Sequence, residues 1–201
     1  SLNSSAAGKP SAAPNPAASH DPAVSLTAMA TPLSHLAVPL ALTAALGGDI
    51  VPPGLLALAL ACAVLPDIDA LGLWLGIPYE HPFGHRGFTH SLLFAVMLAG
   101  TGTLLASRLG YDPLTAFGVL LVSAASHGLL DAMTNGGLGI AFFSPFSHRR
   151  GFLPWRVIEV SPLRPSALFS RRGFGVLRSE LRWVWMPCLV VALLGIALRA
   201  R

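Results

Sequence analysis

Charge is scarce in this chain. Of its 201 residues 11% are charged, against about 25% in an average soluble domain. Lysine is nearly missing: Lys9 is the sole one, so the net charge of +4 comes almost entirely from arginine. A soluble domain of this length needs a polar surface, and from residue 31 to residue 130 the sequence scarcely supplies one. Cysteine is also sparse. Cys62 and Cys188 both sit inside apolar runs, and no CxxC or other thiolate metal spacing occurs. That excludes a disulfide scaffold and a thiolate zinc site, and leaves both cysteines as small buried apolar residues. Basic segments interleaved with aromatics are absent too, so nucleic acid is not an expected partner.

What is present is apolar. Hydrophobic residues make up 53% of the chain, and mean hydropathy is +0.65. Five apolar segments follow one another, at 33–46, 55–65, 92–109, 114–130 and 183–198. Crossing about 30 Å of hydrocarbon takes about 20 helical residues. The first two segments are shorter, and must either extend through polar flanks inside a bundle or form a re-entrant hairpin. The reading is all-α: a polytopic membrane bundle of about five helices. Turn signals separate the segments at 47–53, 76–87 and 110–113. A polar insertion at 134–182 is read as an interfacial loop, with Phe152, Trp155 and Arg156 as an aromatic and basic anchor against headgroups. Residues 29–201 therefore read as one helical membrane domain. Residues 1–28, rich in Ala, Ser, Pro and Asn, read as a disordered leader or tail, with Met29 expected to be the natural initiator.

Alternation of five spans places the start of the domain, the Arg86 loop and the long insertion on one face. Lys9, Arg86, Arg149, Arg150, Arg156, Arg164, Arg171, Arg172, Arg178 and Arg182 belong to that face, and only Arg108, Arg199 and Arg201 to the other. Positive charge marks the cytoplasmic side, so the first face is expected to be cytoplasmic in a bacterial inner membrane. His35, Asp67, Asp69, His85, Arg86, Thr89, His90, His127 and Asp131 all map to that same face. Arginine set the orientation, so the convergence of the histidines and aspartates is independent of it.

Ionisable residues at membrane depth are costly and mark function or a paired partner. Singly, each has an ordinary explanation. His35 follows Ser34 at a helix start, Asp67 follows Pro66 in a turn, and His127 and Asp131 at i and i+4 suit a structural hydrogen bond or a proton relay. Jointly, four histidines and three aspartates supply ligands for one or two divalent ions, zinc first, with manganese or iron next. His81 and His148 read as solvent or interface residues, and His20 lies in the tail.

The motifs Thr31-Pro32-Leu33-Ser34-His35, Leu65-Pro66-Asp67-Ile68-Asp69, His85-Arg86-Gly87-Phe88-Thr89-His90-Ser91, His127-Gly128-Leu129-Leu130-Asp131 and Ser144-Pro145-Phe146-Ser147-His148-Arg149-Arg150 carry a resemblance. Together, in this order, they resemble the YdjM-like family of inner-membrane metal-dependent hydrolases. The resemblance implies a helical membrane protein with a metal site at His35, Asp67, Asp69, His85, His90, His127 and Asp131. A more distant likeness is to zinc-dependent phospholipase C and the P1-type nucleases. This chain lacks the second His-x-x-x-Asp or His-x-x-x-Glu pair of that group, so one or two metals are expected and not three.

The function expected from this is metal-assisted hydrolysis of a phosphoester, with membrane lipids as partners and a lipid headgroup as one candidate substrate. Asp69 or Asp67 would orient or deprotonate the water, and Arg86, Arg149 and Arg150 would pair with phosphate oxygens. Arg149 and Arg150 equally suit a topology and anionic-lipid signal, while Thr134 and Asn135 either line the site or end the helix. Two competitors stay open: a metal or proton transporter, which predicts ligands near the midplane in repeated halves, and a scaffold with a closed structural metal. Nothing in the sequence speaks to oligomeric state.

Overall fold

Proline opens the helices of this protein, because the first turn of a helix has no partner for an amide that proline lacks. In the computed structural model, which describes residues 28–29, 31–162 and 170–201, Pro32 starts α1 (Pro32–Leu46), Pro53 starts α2 (Pro53–Val64) and Pro113 starts a later helix. The α1 helix stops at Gly47, whose φ of 95° is open to glycine and strained for other residues. The expectations for the leader, Lys9, His20 and Arg164 fall outside the described residues.

Of the two ways open to the short second segment, extension through its polar flank is the one found: a 3-10 turn (Leu65–Asp69) leads into α3 (Ala70–Trp74), and Pro53–Trp74 forms one helical stretch of 22 residues. Pro66 is tolerated because it stands in the first turn of the 3-10 segment. The aspartates are thus set into a spanning rod rather than hung from its end. A loop and a short 3-10 turn (Phe88–His90) precede α4 (Leu92–Arg108), capped by Ser91 Oγ accepting from Phe94 N at 3.1 Å. α5 (Pro113–Ala132) is capped by Asp112 Oδ2 accepting from Thr115 N at 2.7 Å.

The insertion after α5 is not all loop. It contains α6 (Arg171–Glu180), which runs through a π-helical turn (Leu181–Trp185) into α7 (Met186–Arg199). The only sheet among the described residues is a two-residue antiparallel pair, β1 (Ala28–Met29) with β2 (Ser161–Pro162), Ala28 opposite Pro162. Backbone hydrogen bonds from Asn135 N to Ile158 O (2.9 Å) and Leu153 N to Ala132 O (2.9 Å) fasten the insertion beneath α5.

Three stretches are long and apolar enough to cross a membrane, Pro53–Trp74, Pro113–Ala132 and Gly173–Arg199, while α1 and α4 are shorter apolar helices. The result is the anticipated bundle of five apolar helices. α5 is its axis, contacted by α4, α2 and α1, with α7 packed on α1. The core between α2, α4 and α5 is rich in small residues, with Ala59, Cys62, Ala95, Ala99, Ala116 and Ala124 buried in it. Small side chains let helix backbones approach where lipid supplies no hydrophobic drive. Leu189, Val190, Leu193, Leu194 and Leu198 of α7 face outward, as a lipid-contacting helix requires.

Candidate metal centre

Antiparallel packing brings the start of α1, the 3-10 turn after α2, the start of α4 and the end of α5 to one end of the bundle. Those four points carry His35, Asp67 and Asp69, His85 to His90, and His127 with Asp131. All seven anticipated metal-ligating residues meet there. His35, His127 and Asp131 are fully buried, His85, His90 and Asp69 nearly so.

Three of the four imidazoles are oriented by their Nδ1. His127 Nδ1–H donates to Ala63 O at 2.7 Å. That carbonyl is available because its 3-10 partner would be residue 66, a proline without an amide hydrogen. His85 Nδ1–H donates to Asp69 Oδ1 at 2.7 Å, and His90 Nδ1 lies 3.1 Å from Asp69 Oδ2. Asp69 also accepts from Arg86 N at 3.1 Å and from Thr89 Oγ1. With Nδ1 so engaged, the Nε2 atoms turn inward. Carboxylate-held histidines of this kind are the usual support of a metal site.

The Nε2 atoms of His90 and His127 stand 3.0 Å apart. Two ring lone pairs this close repel, so the contact needs a proton or a cation between them. Around it lie Asp67 Oδ1, 3.5 Å from His90 Nε2 and 3.4 Å from His127 Nε2, and Asp131 Oδ2, 3.4 and 4.0 Å from the same atoms. A tetrahedral site with bonds of about 2.0–2.1 Å has edges of about 3.4 Å. The four residues therefore already stand close to the spacing a divalent ion requires. Asp67 Oδ1 and both Asp131 carboxylate oxygens lack hydrogen-bond donors, as does His85 Nε2. A second grouping, Asp67, Asp69, His85 and His90, also has its ligand atoms within 4.8 Å of one another and shares two residues with the first.

His35 belongs to neither grouping of four. Its ring stacks on His127 at 3.8 Å, with Nε2 3.8 Å from Asp131 Oδ1, and neither ring nitrogen has a hydrogen bond. Burial works against a charged His90, yet the carboxylates of Asp131, Asp67 and Asp69 around it hold it protonated well above the ordinary histidine range. The cluster calls for positive charge at this point.

The anticipated phosphate-binding arginines are placed differently from expectation. Arg86 is fully buried, with Nε 3.2 Å from Asp131 Oδ2 and Nη1 donating to Thr134 Oγ1 (3.0 Å) and Gly136 O (2.9 Å). Its φ of 62° is the left-handed conformation, a cost of about 1–2 kcal/mol for a non-glycine residue. That conformation lets its amide reach Asp69 while its guanidinium reaches Asp131. Arg150 donates to the carbonyls of His85 (2.8 Å) and Tyr79 (2.9 Å) and so ties the loop. Arg149 is exposed, as are His81 and His148. Thr134 is buried and joins Arg86 to the end of α5, whereas Asn135 fastens the insertion through Val160 N at 3.2 Å. Trp155 is exposed, and Arg156 covers the Phe152 ring at 3.7 Å.

Three supports escaped the sequence reading. Tyr79 is buried with its ring edge-on to His85 at 5.3 Å, and burial raises its phenol above the ordinary range. Gly128 lets the His90 carbonyl come within 2.8 Å of where a Cβ would stand. Glu180 is buried and accepts from Thr31 N and Thr31 Oγ1, both at 2.7 Å, fixing the start of α1 four residues before His35. Only Gly128 had a signal, its place beside His127 in a helix that must pack closely.

Fold and site together define an integral membrane bundle with a buried histidine and aspartate cluster at one end. The chain belongs to the YdjM inner membrane protein family, whose model matches residues 29–201. It is 42% identical over 160 residues to the inner membrane protein YbcI of Escherichia coli K12, covering 79% of this chain and 92% of that one. It is 37% identical over 87 residues to the inner membrane protein YdjM of the same organism, covering 40% of this chain and 44% of that one. No solved structure matches it.

Proposed function

We propose that this protein is a membrane-bound metal-dependent hydrolase acting at the lipid interface, with a phosphoester as the first substrate class to test. Support comes from the facing Nε2 atoms of His90 and His127, ringed by undonated oxygens of Asp67 and Asp131. Those four residues would hold the ion. With His90 neutral, as a metal ligand must be, three carboxylates against the Arg86 guanidinium leave two negative charges, the complement of one divalent cation. A divalent ion there would polarise an ester oxygen and lower the pKa of water.

The chain's own residues divide the remaining work. Asp69, with donors on both oxygens, orients His85 and His90. Arg86 holds Asp131. Asp67 is 16% exposed at its side chain, against 3% or less for the other carboxylates and the histidines around it, so a water or substrate enters past Asp67. Asp67 is then the acid placed to orient that water or take its proton. The arginine excess at this end, Arg149, Arg150, Arg156, Arg171, Arg178 and Arg182 against Arg108, Arg199 and Arg201, supports a cytoplasmic site.

Burial of the ligands favours a second reading, a closed structural metal. One experiment separates the two: detergent-purified chain is assayed for metal content and phospholipid headgroup release beside the His127→Ala and Asp67→Ala variants at matched folding. The hydrolase reading expects near-stoichiometric zinc, manganese or iron and headgroup release, both lost in the variants. Metal bound without turnover on phosphoester, acyl-ester or amide substrates would establish the structural reading. No metal even after reloading would sink both.

A further inference from the structure

The insertion hides a helix with three distinct faces. On α6, Gly173, Val176 and Glu180 pack inward. Phe174, Leu177 and Leu181 form a second, exposed apolar face, 63%, 40% and 57% accessible. Arg171, Arg178 and Arg182, spaced seven and four apart, line a third face beside it, and all three are exposed. Glu180 points away from them to Thr31. Glu159 borders the stripe near Gly175, yet among the described residues none of the three arginines lies within ion-pair distance of a carboxylate.

Length sets the depth of this stripe. Gly173–Arg199 has 27 residues, about 40 Å of helix, against about 30 Å of hydrocarbon. With Arg199 at the far interface, the near boundary falls close to Ser179. Arg178 then stands at headgroup level, Arg171 two turns outside it, and Arg182 one turn inside, within reach of the headgroups by snorkelling. Directly below Arg182 the α1–α7 seam opens into an apolar groove of about 170 Å³ lined by Leu40, Ala44, Trp185, Cys188 and Leu189. Phosphate-level cations above an apolar groove that can seat part of an acyl chain match the two halves of one ligand.

We infer that this edge binds an anionic phospholipid, its phosphate on Arg171, Arg178 and Arg182 and an acyl chain along the α1–α7 groove. The site is separate from the metal centre and does not depend on hydrolysis. Lipid held there docks α6, whose opposite face fixes the start of α1 through Glu180.

The full chain, carrying Trp74→Phe, Trp155→Phe and Trp183→Phe so that Trp185 reports alone, is reconstituted in phosphatidylcholine vesicles. Phosphatidylglycerol or phosphatidylcholine with brominated chains is then titrated in over the same range of mole fractions. Each arginine near an anionic surface is worth about fivefold in local lipid, so Trp185 is expected to be quenched by phosphatidylglycerol at several-fold lower mole fraction. Combined Arg171→Gln, Arg178→Gln and Arg182→Gln is expected to remove that preference, the corresponding lysine variant to keep it, and Arg108→Gln at the far end to leave it unchanged. Equal quenching by the two lipids in the parent overturns the proposal, whatever the variants do. So does a preference that survives the triple glutamine substitution.

Discussion

At one end of the bundle Asp112 stands exposed, accepting the Thr115 amide as an N-cap. At the other, nineteen residues further along the chain and at the end of the same helix, Asp131 is fully buried against Arg86 and among three histidines. The far end also holds Asp49, Tyr111 and Arg199, with Arg199 Nη2 donating to Ala44 O at 2.7 Å to close the end of α1. Both ends need to satisfy helix termini, and the far end does so with exposed side chains such as Asp112 and Arg199. The site end instead gathers three carboxylates, two of them buried, with four buried histidines and a buried guanidinium, far beyond what termini require. Capping therefore does not explain the cluster, and charge of that density is kept for what it binds.

The largest break in the comparison comes from Asp131→Ala. It removes a ligand oxygen and leaves the Arg86 guanidinium buried without its acid, a loss of about 3–5 kcal/mol when one partner of a buried pair is removed. Bound metal by elemental analysis should fall to near zero, and the melting temperature in detergent should drop. Unchanged metal content in a folded Asp131→Ala protein would remove Asp131 from the ligand set.

Asp69→Asn separates orientation from ligation. An asparagine keeps the volume but cannot accept from every donor that now converges on Asp69. If Asp69 only positions His85 and His90, metal stoichiometry persists while affinity weakens by about 10–100-fold, as read by competition with a chromophoric chelator. Complete loss of metal would show that Asp69 ligates directly, as in the second grouping with Asp67, His85 and His90.

Much of this was legible in the sequence, for reasons the residues make plain. α4 and α5 announce themselves through Ser91 and through Asp112-Pro113, local caps ahead of long apolar runs. The gathering of His35, Asp67, His90, His127 and Asp131 follows from alternation alone once five spans are counted. What was hidden depends on distant partners. Pro66-Asp67-Ile68-Asp69 reads locally as a turn, yet it stands within a helix whose Ala63 carbonyl is bound by His127 of α5 and whose Asp69 carboxylate is bound from the Arg86 loop. Glu180 lies among arginines and reads as a surface acid, yet its partner Thr31 is 149 residues away. Arg86 and Arg150 looked like anion-binding groups because a sequence shows charge without showing which protein acceptor has already claimed it.

The smallest effect sharpens the contrast from the far end. The Thr115 backbone amide, donating to Asp112, holds that carboxyl below the ordinary aspartate range. A folded-state pKa below the unfolded value means the charge stabilises the fold above the unfolded pKa. That contribution is lost as pH falls through the folded value, so the window lies below about pH 4. Asp112→Asn keeps a capping oxygen while deleting the charge, so at neutral pH the variant should melt slightly below the parent with its metal content intact. The gap should close as acid protonates Asp112 in the parent. A gap that persists unchanged into acid would assign the difference to packing rather than charge, and a loss of metal would mean that the two ends are coupled through α5.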